Sequence, residues 1–155
     1  MKLRLLILTV IICIISSCII EPENSNIPNS KVNFYIDASI SGADNSLAEG
    51  LLGNSKIYTK SEPSTLSPNG SYGYSGVAVI RAYDNNIYAF DICCTYEANK
   101  EIALVNDGFF LKCPKCGSEF EIGNGTGYAN KGPATQRLKK YFISQNSTQK
   151  IRIYN

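Results

Sequence analysis

Two short cysteine-bearing stretches, each placed at the end of an alternating apolar run, constrain this chain more than any other feature. Phe90 to Glu97 reads F-D-I-C-C-T-Y-E, and Leu111 to Gly117 reads L-K-C-P-K-C-G. The second is a C-x-x-C followed by Gly117, a knuckle spacing that turns two sulfurs toward one point. Between the stretches, Ala103 to Val105 and Phe109 to Lys112 flank Asn106-Asp107-Gly108. That pattern predicts a hairpin, and a hairpin carries both cysteine loops to the same end of a sheet. A lone C-x-x-C says little; two cysteine loops joined in this way say more.

The rest of the chain extends the β reading. Val32, Phe34 and Ile36 alternate with polar neighbours and predict a first strand. Val77 to Ala82 and Ile87 to Asp91 predict two more around a turn at Asp84-Asn85-Asn86, and Phe120 to Ile122, Leu138 to Ser144 and Ile151 to Tyr154 complete the set. Residues 40–55 are ambiguous, because Leu47, Leu51 and Leu52 suit a helical turn that Gly50 and Gly53 weaken. Ser61 to Gly76, rich in Ser, Pro, Gly and Asn, reads as a long surface loop. Gly123 to Gly127 reads as too flexible for core, and without a following Lys-Ser/Thr it is not a phosphate cradle. The expected fold class is all-β, with layered antiparallel sheets and two cysteine loops.

The first residues read as a targeting segment. Lys2 and Arg4 precede a greasy run from Leu5 to Ile15, and Ser16-Ser17 are small residues before Cys18. Ile15-Ser16-Ser17-Cys18 resembles the lipobox cleaved by lipoprotein signal peptidase. The resemblance implies a signal peptide over residues 1–17, a diacylated Cys18, and a membrane-anchored lipoprotein of the bacterial cell envelope, facing the periplasm or the cell surface. Leu5 to Ile20 is short for a transmembrane span, which needs about 20 residues. Residues 18–30, with two prolines, then read as a tether, and residues 31–155 as the β domain. Of six cysteines, Cys13 leaves with the leader and Cys18 carries the lipid, so the remaining four all lie in the two loops. Without Lys2 and Arg4 the balance is 13 basic against 13 acidic residues, and no basic stripe argues for nucleic acid.

The segment from Gly76 to Asn155 resembles the Rieske [2Fe–2S] domain family, whose fingerprint is C-x-H and C-x-x-H separated by fifteen to seventeen residues. Here Cys94-Thr95-Tyr96 is followed by sixteen residues, 97–112, and then Cys113-Pro114-Lys115-Cys116. Tyr88-Ala89-Phe90-Asp91 before the first loop and Gly117-Ser118-Glu119-Phe120 after the second also resemble the family. So does Gly132-Pro133-Ala134, with Leu138 and Tyr141, which resembles its proline loop and the strand beyond. The departure is at the histidines: Tyr96 and Cys116 stand in their places, and the chain contains no histidine at all. A Cys2His2 centre is therefore excluded.

Three readings of Cys93, Cys94, Cys113 and Cys116 stay open. One is a [2Fe–2S] cluster with cysteines in place of histidines, whose potential would fall toward the ferredoxin range near about −400 mV. Another is a structural zinc held by four sulfurs. The last is a metal-free domain that staples its loops with disulfides and serves as a structural or interaction protein. Two arguments weigh against the cluster. Neighbouring residues in extended chain point to opposite faces, so Cys93 and Cys94 reach one metal only through a tight loop. Lys2-Leu3-Arg4 also holds no twin-arginine pair, so the chain would cross a membrane unfolded and fold where close cysteines oxidise.

Catalysis is not expected. Without histidine there is no Ser-His-Asp or Cys-His pair, and Glu119 and Glu121, two apart on a strand, suit a solvated face better than acid–base work. The expected role is a small redox or metal-site module, anchored to the membrane by its lipid and paired with a redox partner protein.

Overall fold

In the computed structural model, residues 25–145 and 150–155 are described. The expected leader and the lipidation site at Cys18 lie outside the described residues. Eleven strands and one short 3₁₀ turn make up the described chain, and every pairing is antiparallel. The all-β expectation holds.

Three sheets form. The first runs in the order β10 (Phe142–Gln145), β11 (Lys150–Tyr154), β1 (Val32–Asp37), β3 (Ser71–Tyr72). The second is β2 (Ser55–Tyr58), β4 (Val77–Arg81), β5 (Ile87–Asp91). The third is β6 (Val105–Asp107), β7 (Phe110–Lys112), β8 (Glu119–Glu121), β9 (Ala129–Lys131).

The burial pattern explains the layering. β1 buries Val32, Phe34 and Ile36 and turns Asn33, Tyr35 and Asp37 outward, the period of a strand with one wet face. Its partner β11 does the same with Ile151 and Ile153, which lie opposite Ile36 and Phe34. β4 does not alternate: all five of its residues are buried. Val77 and Val79 join a core with Phe34, Ile36, Ile151 and Ile153, whereas Ala78 and Ile80 join a second core with Leu111, Phe120, Cys94 and Cys113. The central sheet thus has a core on each face, which is why its middle strand is a continuous apolar run. Arg81 ends that run with its guanidinium hydrogen-bonded to backbone carbonyls. Its Nε and Nη2 donate to the Leu47 carbonyl at 3.0 and 2.7 Å, and its Nη1 to the Asn85 carbonyl at 2.7 Å.

Several elements differ from expectation. The ambiguous stretch is a 3₁₀ turn, Asn45–Leu47, that buries Leu47 and leaves Leu51 and Leu52 exposed. The long loop before Gly76 contains β3, which pairs with β1 and sets the Tyr72 ring, tilted by 43°, against Phe34 at 4.7 Å between centroids. The hairpin turn falls at Gly108-Phe109, later than Asn106-Asp107-Gly108, since Asp107 pairs with Phe110 and Gly108 takes φ 64°. Part of the expected tether is docked: Ile27 is buried and the Asn26 amide donates to the Thr95 carbonyl at 2.6 Å. A single isoleucine among polar residues carries no period, so nothing local signals that it is covered.

The glycine run is also core, not slack. Gly123, Gly125 and Gly127 are all buried. A Cβ on Gly125 would stand 2.4 Å from the Tyr88 ring and one on Gly127 2.9 Å from the Phe90 ring. Glycine is required there because the backbone lies directly on aromatic faces.

Candidate metal centre

β5 and β7 deliver the two cysteine loops. The end of β5 is fixed by Asp91, a fully buried carboxylate. Its Oδ2 accepts from the Tyr141 hydroxyl at 2.6 Å and the Tyr74 N–H at 2.8 Å, and its Oδ1 from the Cys93 N–H at 2.8 Å. A buried carboxylate is tolerable when so satisfied. Burial first, and then the Asp91 charge, hold the Tyr141 phenol well above the ordinary tyrosine range, so it stays a donor. Beyond Asp91, Ile92 donates to Gly76 and Cys93 bridges to Ala103, which ties the first loop to the chain that enters the hairpin.

The two loops close in the same way. The Ala98 N–H donates to the Cys94 carbonyl at 2.8 Å, and the Gly117 N–H to the Cys113 carbonyl at 3.0 Å. Each closing residue lies in the left-handed region, with φ 47° at Ala98 and 73° at Gly117. Gly117 is suited to this; Ala98 adopts it against its preference.

Three sulfurs meet between the knuckles. Those of Cys94, Cys113 and Cys116 all lie within 4.8 Å of one another, and Cys94 and Cys116 approach to 3.7 Å. Cys94 and Cys113 are buried among Leu111, Phe120 and Leu138, and Cys116 is partly exposed. Cys93, expected as a fourth ligand, is not in the group. It is buried with its sulfur beside the Cys94 carbonyl at 3.8 Å, the opposite-face placement expected of neighbours in extended chain. Burial raises its pKa. Tyr96, at the position of a family histidine, is 58% exposed.

The thiols are graded in acidity. Burial pushes Cys94 up to about 12, against the pull of backbone N–H groups of Glu97 and Tyr96. At Cys116 burial acts in the same upward direction but is outweighed. Hydrogen bonds from the Ser118 hydroxyl and N–H, and from the Cys113 and Cys94 thiols, bring its pKa below the ordinary thiol value. The Ser118 hydroxyl sits 3.1 Å from the Cys116 sulfur and accepts the Ala134 N–H at 3.0 Å. With its oxygen so engaged, its hydrogen is available to the sulfur. The Gly132-Pro133-Ala134 stretch thus closes over the second loop, while the Thr95 hydroxyl donates to the Gln136 carbonyl at 2.9 Å and binds the same segment to the first.

A donor set can be tested against each group the sequence suggested. A single tetrahedral ion with metal–sulfur bonds of about 2.3 Å needs sulfurs about 3.8 Å apart, which the 3.7 Å approach of Cys94 and Cys116 meets. A [2Fe–2S] cluster needs two ligand pairs held apart by bridging sulfides. With Cys93 turned away and no histidine in the chain, the described residues offer three converging thiols and no second pair. The arrangement fits one ion better than a cluster. Ser118, Asp91 and Tyr141 were not singled out as site residues from sequence, because their roles depend on chain segments far apart in order.

No family model and no curated protein matches the chain. Among solved structures, a chain of the complex of reduced oxygenase and oxidized ferredoxin in carbazole 1,9a-dioxygenase aligns with 79% of this chain and 93% of its own, at 18% identity and a TM-score of 0.49. A Sphingomonas yanoikuyae B1 ferredoxin aligns with 52% of this chain and 74% of its own, at 24% identity and a TM-score of 0.38.

Proposed function

We propose that this chain is a metal-thiolate module in which Cys94, Cys113 and Cys116 bind one metal ion, zinc foremost, and that the ion locks the two cysteine loops together. The convergence of three sulfurs within 4.8 Å carries the reading. Soft thiolates select zinc or iron over oxygen-seeking cations. Zinc would make the module structural and redox-silent; iron would make it a one-electron carrier that needs a redox partner protein. The chain's own contribution is the same in both cases: three thiolates, with hydrogen bonds from Ser118 and the loop backbone offsetting their charge. The lipobox-like Ile15-Ser16-Ser17-Cys18 supports placing this module on an envelope membrane through a lipid on Cys18.

A second reading has its own support. At 3.7 Å, Cys94 and Cys116 stand close enough to be joined by a disulfide after a small movement, which would make the domain a metal-free scaffold. Purification without air, followed by metal analysis, an absorption spectrum and thiol titration after unfolding, separates the two. Stoichiometric zinc in a colourless protein with free thiols is the expected result, and a chelator should then lower the melting temperature. A red-brown protein bleached by dithionite selects iron. A metal-free protein with a Cys94–Cys116 disulfide overturns the metal reading.

A further inference from the structure

The three thiols leave a tetrahedral ion one ligand short, and the matching build of the two loops points to the residue in the equivalent place. Each loop opens with a buried cysteine and closes four residues later by the same backbone hydrogen bond onto a residue of positive φ: Cys94 to Ala98, and Cys113 to Gly117. Counted from the opening cysteine, the third position of the second loop is the ligand Cys116. The third position of the first loop is Glu97.

Other observations place Glu97 at this mouth. Although the loop tip is exposed around it, its side chain is only 11% exposed. Its Oε2 lies 2.7 Å from Nζ of Lys115, the residue immediately before Cys116 in the opposite knuckle. The carboxylate is therefore drawn across the gap between the loops. It is not within the 4.8 Å group itself, because it is turned onto the lysine.

From this juxtaposition we infer that Glu97 is the fourth metal ligand: one carboxylate oxygen completes an S3O set with Cys94, Cys113 and Cys116, and Lys115 guards that carboxylate in the metal-free chain. The inference rests on the metal-thiolate reading above and sharpens it. Carboxylate oxygen is among the donors that zinc accepts. Lys115 is 62% exposed, so it can release Glu97 to solvent or keep the second oxygen without strain. Cys93, the fourth ligand expected from sequence, is thereby replaced by a residue of different chemistry from the same loop.

Cobalt(II) and zinc titrations of the reduced, folded chain test this. The charge-transfer absorption of bound cobalt grows with the number of thiolates, and its visible bands report whether the fourth donor is oxygen or sulfur. Wild type should show three thiolates in a tetrahedral field. Glu97→Ala and Glu97→Gln should lose zinc affinity by about 10–100-fold or more, at least the scale of losing an outer-shell partner, with altered visible bands. Glu97→Cys should move the spectrum to a four-thiolate form and bind at least as tightly as wild type. Lys115→Ala should not weaken binding. A Glu97 that served only to pair with Lys115 would instead give equal losses in both variants and an unchanged spectrum, which overturns the inference. Glu97 variants that bind like wild type overturn it too, while leaving the three-thiolate site standing. A wild-type chain that takes up neither metal overturns both.

Discussion

Cys93 and Cys94 are adjacent and equally buried, yet only one of them reaches the sulfur cluster. The difference is the pleat: the bridge from Cys93 to Ala103 continues the extended chain, so its side chain points away from the face that Cys94 presents. Replacing Cys94, Cys113 or Cys116 by serine is therefore expected to abolish stoichiometric metal. Cys93→Ser should keep it and cost about 1–3 kcal/mol of folding stability, the penalty for an ill-paired hydroxyl in core. Metal analysis beside urea unfolding checks both halves. Ser118 matters in the same way, since its hydroxyl joins the Cys116 sulfur to the Ala134 N–H. Ser118→Ala should leave that N–H without a partner, at about 1–3 kcal/mol, and should weaken metal binding by about 10–100-fold. Calorimetric unfolding and chelator competition measure the two effects separately.

The same knuckle is built twice, once with the residue that suits it and once without. Gly117 accepts φ 73° freely, whereas Ala98 sits at φ 47°, a region that costs an L-residue about 1–2 kcal/mol. Ala98→Gly should therefore stabilise the domain by up to about 1 kcal/mol, less than the full strain because the unfolded chain gains freedom. A lower denaturation midpoint would show that the strain is not where the backbone places it. The glycine run makes the opposite prediction. Gly125→Ala sets a Cβ 2.4 Å from the Tyr88 ring at a φ of 74°, so the ring or the loop must shift. A loss of about 2 kcal/mol or more is expected, from overpacking and left-handed strain together. Equilibrium unfolding measures it, and an unchanged midpoint would mean that Tyr88 yields at no cost.

Two buried tyrosines of the same core hold carboxylates in place: Tyr58 bonds Asp44 at 2.8 Å, and Tyr141 bonds Asp91 at 2.6 Å near the cysteine loops. Burial chiefly, with the partner carboxylate second, raises both phenols far above their unfolded value of about 10. A raised folded pKa means that stability is complete below about pH 10. Above that pH the unfolded chain releases the two protons and the folded chain does not, so stability falls continuously as pH rises. Loss of β-sheet circular dichroism should then coincide with ionisation of two tyrosines in the ultraviolet spectrum. Tyr58→Phe and Tyr141→Phe should each remove one tyrosine from that coincident step. Ionisation of both at constant circular dichroism would refute the coupling.

Alternation and turn chemistry are local, and they were sufficient to reveal β1, β4, β5, the hairpin into the second knuckle, and the all-β class. The cysteine spacing was sufficient to mark both loops, and the absence of histidine to exclude a histidine-ligated centre. Tertiary structure decided the rest. That β4 is a middle strand with a core on each face depends on three sheets assembling around it. That Gly125 and Gly127 are buried depends on Tyr88 and Phe90 arriving from β5. The ligand set is the clearest case. Four cysteines look equivalent in order along the chain, but which sulfurs converge is set by the pleat at Cys93 and by two knuckles facing each other across a sheet end. Side-chain direction belongs to the folded backbone, and no count of spacings contains it.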